Sequence, residues 1–213
     1  MRNASLYRVG GTALLAGAVL DAVAVFLHSA QPLDLASFAA LAQGQWLFSH
    51  WLFVIGNTLL TGGLFAVARH LFATKNEGLS VVGFAAVVTA SALFIAVVAP
   101  EIVAFPALAQ SADPGAPQAF LAVNLYLMSL MHVAIPVFWG GIACLAVAML
   151  GDQAFPRTFA QAGVAIALLE IIVPFTPLGE NWMLFKIVFG VGFAWLAIAG
   201  NMLRSVKAAV PAY

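Results

Sequence analysis

The amino-acid sequence predicts an all-α protein, a polytopic membrane bundle of six transmembrane helices with both termini in the cytoplasm. Apolar residues make up 64% of the 213 residues and charged residues only 8%, which leaves too little polar surface to cover a water-soluble globule. Seven of the eight Lys and Arg residues fall on alternate connections between long apolar runs. Because short loops rich in Lys and Arg stay in the cytoplasm, this alternation predicts the direction of every helix.

The chain is expected to form one transmembrane domain over residues 1–213, since six spans of about 20 residues use nearly all of its length. A positively charged start followed by an apolar run also resembles a secretory signal peptide. Asp21 in the middle of that run argues against cleavage, and the run is long enough to span. The predicted helices cover residues 9–29, 46–69, 79–102, 120–149, 158–173 and 181–203.

The second and third helices form a hairpin. Trp46 and Trp51 mark the outer end of the second helix at headgroup depth, and the polar turn 74–78 closes the cytoplasmic side. The third helix is expected to end near residue 102. Pro106 and the proline-rich stretch 111–117 follow it, and such sequences do not continue a helix.

Prolines and basic residues also mark the fourth, fifth and sixth helices. Pro136 lies inside the fourth helix, where a kink is expected. Arg157 precedes the fifth helix, and Pro174 ends it. Arg204 stands in the last turn of the sixth helix, where a cation is favourable.

A weak internal repeat relates the second and third helices to the fourth and fifth. Residues 101–106 resemble residues 170–177, each segment opening with Glu-Ile. His50 and His132 each precede a glycine pair on the same helix, the second and the fourth helix respectively. The pairs are Gly62-Gly63 and Gly140-Gly141. Both hairpins start on the outer side, so the pattern predicts a parallel repeat about an axis along the membrane normal.

A few polar side chains are expected inside the membrane, chiefly Asp21, Glu170 and Lys186, with His132 below them. An ionisable side chain at helix-centre depth costs about 2.5 to 3.5 kcal/mol on insertion scales. Two interpretations stay open. The three charged groups form an ion-pair network that joins the first, fifth and sixth helices, or they form the floor of a polar cavity open to the outer face.

The histidines suggest a metal or haem site, although no cofactor is the first expectation. His28, His50 and Glu101 near the outer surface are candidate metal ligands, but the sequence contains no ligand pair spaced i, i+3 or i, i+4. A haem b between His50 and His132 is an alternative, since neutral imidazoles are common axial ligands. The two histidines are expected at different depths, which argues against haem. Interfacial hydrogen bonding is the default interpretation.

Three local strings carry a resemblance to a known family. They are Lys75-Asn76-Glu77-Gly78-Leu79, Pro156 ahead of the fifth helix, and Phe193-Ala194-Trp195-Leu196 with Gly200. With the six-helix layout, the chain resembles a family of bacterial integral membrane proteins catalogued only as a domain of unknown function. The resemblance implies a multi-pass protein of a bacterial-type inner (cytoplasmic) membrane and brings no catalytic residues. Lys186 departs from the family pattern, which favours an acidic or neutral residue there.

The leading functional prediction is a non-enzymatic membrane protein that binds or passes a small solute, proton or lipid headgroup through a polar cavity in its outer half. One alternative is a haem- or metal-binding membrane oxidoreductase, and another is a structural or accessory membrane subunit. The lipid bilayer is the expected partner, and a homo-oligomer or a membrane partner subunit stays open. The net charge of zero argues against nucleic acid. The sequence names no catalytic residue.

Overall fold

The computed structural model describes residues 2–41, 43–72 and 74–206, with all side chains in these ranges except those of Arg2, Asn3 and Glu180. Lys207, which belongs to the pattern of basic loops, lies outside the described residues. The described chain is helical and contains no strand. Its helices are α1 (Arg2–Leu27), α2 (Leu35–Ala39), α3 (Gln43–Leu71), α4 (Glu77–Ala109), α5 (Ala116–Met149), α6 (Arg157–Ile172) and α7 (Trp182–Ser205), with 3₁₀ turns at Val173–Phe175 and Pro177–Glu180.

Six of the described helices are long and apolar enough to cross a membrane, which confirms the predicted all-α fold with six candidate spans. Each long helix packs against its neighbours in chain order. Helix α1 contacts α3 and α7, α4 contacts α3 and α5, and α6 contacts α5 and, more sparsely, α7. The long helices therefore form a ring that closes where α7 meets α1.

The prediction that prolines end the third span near residue 102 is wrong. Helix α4 continues through Pro100 and Pro106 to Ala109. Proline removes one backbone donor, but neighbouring packing can hold such a helix together. Phe105 provides that packing, since its ring is fully buried and its centroid lies 4.4 Å from the ring of Phe120.

The basic residues of the helix ends gather at one end of the bundle, which we call the basic end. They are Arg8, Arg69, Lys75, Arg157 and Arg204. At this end His70 on α3 pairs with Asp152 after α5, with 3.1 Å between Nε2 and Oδ1. The opposite end, which we call the cavity end, contains α2 and the two 3₁₀ turns.

Helix α2 covers the cavity end. Asp34 caps it by accepting a hydrogen bond of 2.7 Å from the backbone N–H of Ser37, and this bond lowers the pKa of the Asp34 carboxyl group. Phe38 on α2 is fully buried, with its ring centroid 5.5 Å from those of Trp46 and Phe105. This aromatic cluster fixes the positions of α3 and α4 where they approach the candidate site.

Each glycine pair contributes one glycine to a helix contact. A Cβ atom on Gly141 would lie 2.6 Å from the carbonyl oxygen of Gly83, and one on Gly63 would lie 2.5 Å from the backbone nitrogen of Leu14. The other members, Gly62 and Gly140, face open space. The pairs therefore allow α1 to approach α3, and α4 to approach α5, through one residue each.

Candidate functional site

A cavity of about 340 Å³ lies within the cavity end of the bundle. Side chains from α1, α3, α4, α5 and α7 line it, together with the two 3₁₀ turns, and most of these side chains are aromatic or aliphatic. The polar lining residues include Asp21, His28, Gln31, His50, Glu101 and His132. The cavity therefore combines an apolar body with a small number of polar groups.

Three of those residues form a buried polar cluster, which we define as His28, His50 and Glu101. The Nε2 atoms of His28 and His50 are 3.3 Å apart, and His50 Nε2 is 2.9 Å from Glu101 Oε2. His28 follows the end of α1, His50 lies on α3 and Glu101 on α4. The structure thus brings together, from three separate segments, the residues that the sequence suggested as metal-ligand candidates.

Backbone carbonyls orient both histidine rings. His50 Nδ1 is 2.6 Å from the carbonyl oxygen of Trp46, one helical turn earlier, and His28 Nδ1 bonds the carbonyl oxygen of Ser29. The indole N–H of Trp46 in turn donates to the backbone carbonyl of Glu101 at 3.2 Å. Each ring is therefore held with its Nε2 atom toward the cluster.

Gln31 binds the second carboxyl oxygen of Glu101, and Asn124 binds Gln31. Gln31 Nε2 donates to Glu101 Oε1 at 3.1 Å and to Asn124 Oδ1 at 2.8 Å. Asn124 Nδ2 donates to the carbonyl oxygen of Pro32 at 2.9 Å. Sequence reasoning did not identify Gln31, because a single glutamine in a connecting segment gives no periodic or motif signal.

The hydrogen bonds determine where protons lie in the polar cluster. A carbonyl oxygen only accepts, so the Nδ1 atoms of His28 and His50 must each carry a hydrogen. In a neutral imidazole, Nε2 is then an acceptor. Both Nε2 atoms and a carboxyl oxygen of Glu101 converge, and the 2.9 Å contact between His50 Nε2 and Glu101 Oε2 holds one proton between these two groups. Within the cluster, His28 Nε2 has only the longer contact of 3.3 Å with His50.

Lys186 does not join the predicted ion-pair network. Its Nζ donates to the backbone carbonyl of Phe26 at 2.9 Å and lies 5.4 Å from the ring centroid of Trp182. Among the described residues the ion pairs are His50–Glu101 and His70–Asp152, so Lys186 pairs with neither Asp21 nor Glu170. The last carbonyls of a helix lack intrahelical donors, and Phe26 stands at the end of α1, so its carbonyl attracts the ammonium group.

Asp21 and Glu170 occupy separate places in the bundle. Asp21 is 4% exposed and lines the cavity, with its carboxyl group against Gly56 of α3. Glu170 is fully buried against the backbone of Gly192 on α7, outside the cavity lining, and no side chain of the described residues pairs with its carboxyl group. The structure therefore places only one of the two carboxyl groups at the cavity.

His132 also lines the cavity, although its side chain is exposed. Its Nδ1 is 2.7 Å from the carbonyl oxygen of Met128, and its ring centroid is 5.5 Å from that of Phe175. Both nitrogens of His50 are engaged by protein groups, so a haem held by His50 and His132 would require the His50–Glu101 contact to break. In the part of the chain that the structure describes, no group of three His, Cys, Asp or Glu side chains has the arrangement of a metal site.

Three residues of the cavity lining each have a buried polar atom that lacks a hydrogen-bond partner among the described residues. The atoms are Asp21 Oδ1, Trp139 Nε1 and Trp182 Nε1, one acceptor and two donors. Buried polar groups in proteins are usually paired. Unpaired donors and acceptors on residues that line one cavity favour a ligand that carries a polar group.

No protein-family model, curated protein or solved structure matches this chain. The layout resemblance to the bacterial six-helix family accordingly stays an expectation. The roles of the cavity residues are argued below from their own geometry.

Proposed function

We propose that this multi-pass membrane protein binds a small amphipathic molecule in its cavity. The observation on which the proposal rests is that three residues in the lining of one largely apolar cavity, Asp21, Trp139 and Trp182, each have a buried polar atom without a hydrogen-bond partner among the described residues. Ligand sites are typically clefts of about 300 to 1,000 Å³ with apolar walls and a few polar groups that fix orientation. A cavity of about 340 Å³ is at the small end of that range.

His28 is the group that receives a donor from the ligand. Its Nε2 atom is an acceptor, and its weak 3.3 Å contact with His50 competes with the shorter His50–Glu101 bond. The rings of Trp46 and Trp182 confine it, with centroids 4.8 Å and 5.7 Å from its own. A hydroxyl or N–H group is favoured beside it, because a buried acceptor gains from a donor.

The cavity reaches the protein surface. Ile95 on α4 and Phe175 in the first 3₁₀ turn line the cavity and are 42% and 52% exposed, and His132 is exposed as well. If the six apolar helices lie in a bilayer, this opening faces lipid or the headgroup region. A molecule dissolved in the membrane then has direct access to the cavity.

The basic end is assigned to the cytoplasm under this proposal, because Lys and Arg in short loops favour that side. Both termini then lie in the cytoplasm, and the cavity lies in the outer half of a bacterial-type inner membrane. The ligand reaches the site from the outer leaflet or from the outer solution.

Isothermal titration calorimetry of the protein in mild detergent tests the proposal. The probe is 4-ethylphenol, a small apolar molecule with one hydroxyl donor, and 4-ethylanisole is its counterpart without the donor. Saturable binding of the phenol and binding of the anisole that is at least about tenfold weaker are expected, because the acceptor then stays unpaired. Absence of saturable binding, or equal binding of the two compounds, contradicts the proposal.

A matched pair of variants on α4 separates cavity binding from partition into the detergent. Val98 lines the cavity and is 9% exposed, whereas Val103 is 69% exposed and is not part of the lining. Val98→Phe fills cavity volume and is expected to weaken 4-ethylphenol binding at least about tenfold. Val103→Phe adds the same ring at the surface and should leave binding unchanged. Equal binding by the two variants places the probe outside the cavity.

A further inference from the structure

We propose that the ligand of this cavity is an organic amine whose ammonium group pairs with Asp21. The inference rests on the proposed function, since it names the chemical class of the molecule bound there. It assigns Asp21, which lies deeper in the bundle, as the counter-ion of the ammonium group. His28, at the end of α1, is assigned as the hydrogen-bond acceptor at the other end of the ligand.

Asp21 is a buried residue of the cavity lining, and one of its carboxyl oxygens lacks a donor among the described residues. It lies on α1, is 4% exposed, and its Oδ1 has no hydrogen-bond partner among the described residues. Gly56 packs against this carboxyl group and has no side chain to cover it. Burial of a carboxylate without a compensating group is unfavourable, so a cation at this position stabilises it.

The protein supplies no cation of its own at Asp21. The described lining of the cavity contains neither Lys nor Arg. Lys186, the cation nearest in depth, donates instead to the carbonyl of Phe26 and is not part of the lining. Glu101, the second carboxyl group of the lining, is already paired with His50 and Gln31, so Asp21 is the carboxyl group left for a ligand cation.

The walls of the cavity suit an organic cation better than an inorganic one. Aromatic rings line it from several helices, including Phe94 on α4, Trp139 on α5 and Phe189 on α7. The faces of aromatic rings attract ammonium groups, and this attraction strengthens away from water. The same rings bury the hydrocarbon part of an amine, which a hydrated metal ion does not have.

The spacing of Asp21 and His28 suggests a ligand with polar groups at both ends. The two residues are seven positions apart along α1 and its last turn, and the helical bond from the His28 N–H to the Ala24 carbonyl is intact at 2.8 Å. Seven residues correspond to about two turns, so both side chains lie on one helix face about 10 Å apart. A hydroxyl near His28 and an ammonium group toward Asp21, joined by a small apolar body, match this arrangement.

Tyramine and 4-ethylphenol test the assignment, because they differ only by the amine. Binding to the wild-type protein at pH 7 is measured by calorimetry for both compounds. Tyramine is expected to bind at least about tenfold more tightly. In Asp21→Asn the advantage of tyramine should vanish, while the affinity for 4-ethylphenol stays within about threefold. Glu170→Gln is the matched control, since it makes the corresponding acid-to-amide change at a buried residue outside the cavity lining and should preserve the advantage.

The outcomes separate this inference from the proposed function. If 4-ethylphenol binds but tyramine binds no better, or if the advantage survives in Asp21→Asn, the amine assignment is overturned and cavity binding stands. If neither compound binds, the proposed function fails as well. Should Asp21→Asn not fold, the comparison of the two compounds on the wild-type protein still decides.

Discussion

The hairpin of α3 and α4 and the hairpin of α5 and α6 each have a histidine on the first helix and a glutamate on the second, yet the two pairs differ in the structure. In the first hairpin His50 and Glu101 are both buried and 2.9 Å apart. In the second hairpin His132 is exposed and bonds a backbone carbonyl of its own helix, while Glu170 is buried and pairs with no side chain of the described residues. Similar local sequence therefore leads to a paired site in one hairpin and to two separate groups in the other.

The lengths of the second helices account for much of this difference. Helix α4 extends to Ala109, so Glu101 stands about two turns before its end. Helix α6 ends at Ile172, and Glu170 is in its last turn before the chain bends through a 3₁₀ turn at Val173–Phe175. Glu170 consequently points toward α7, where Gly192 leaves space for it, and does not meet α5 as Glu101 meets α3.

Replacing each glutamate by glutamine is expected to give the largest contrast. Glu101→Gln removes the acidic partner of a buried histidine, and breaking a buried pair destabilises a protein by about 3 to 5 kcal/mol. Glu170→Gln removes no described partner, and a change of about 1 kcal/mol or less is expected. Both values can be measured by unfolding in mixed micelles with increasing SDS, followed by circular dichroism.

Equal losses in the two variants would mean that Glu170 has a stabilising partner comparable to His50. A double variant of His50 and Glu101 provides the control within the first hairpin. His50→Leu with Glu101→Leu should cost less than the sum of the single replacements, since the second change no longer leaves a buried group unpaired.

The glycine pairs give a smaller contrast within each hairpin. Gly141→Ala places a Cβ atom 2.6 Å from the carbonyl oxygen of Gly83, and such overpacking costs about 1 to 3 kcal/mol. Gly140→Ala meets no atom within 4 Å and should be neutral or stabilise the helix by up to about 1 kcal/mol. Melting temperatures of the two variants in one detergent provide the test. A loss in Gly140→Ala as large as that in Gly141→Ala would contradict the described packing of α4 against α5.

The sequence predicts the six spans well because their signal is physical and local. A run of about 20 apolar residues has few other uses in a protein, and the structure contains such helices where they are expected. The prediction failed at Pro106, since the usual effect of proline on a helix assumes that no tertiary contact compensates for the lost bond. Burial of Phe105 beside it is a contact of distant segments that one sequence does not reveal.

The candidate site is less predictable for the same reason. Polar residues at membrane depth could be listed from the sequence, and Asp21 and His132 do line the cavity. Their partners could not be assigned, because equal depth does not fix which face of a helix a side chain occupies. Lys186 shows this well, since the free carbonyl of Phe26 provides a nearer acceptor than either carboxyl group.

The smallest expected effect concerns Lys186 and Glu170 together. Lys186→Met removes a hydrogen bond to a helix-terminal carbonyl and a cation–π contact with Trp182, and about 1 kcal/mol or less should be lost. Because Lys186 and Glu170 form no ion pair in the described structure, the losses in Lys186→Met and Glu170→Gln should add within about 0.5 kcal/mol in the double variant. A loss in the double variant that is clearly smaller than the sum of the two single losses would instead support the ion pair that the sequence predicts. Additivity would instead assign Lys186 to the end of α1 and leave Glu170 to its contact with Gly192, so that the second hairpin holds a buried acid without the side-chain partner that His50 provides in the first hairpin.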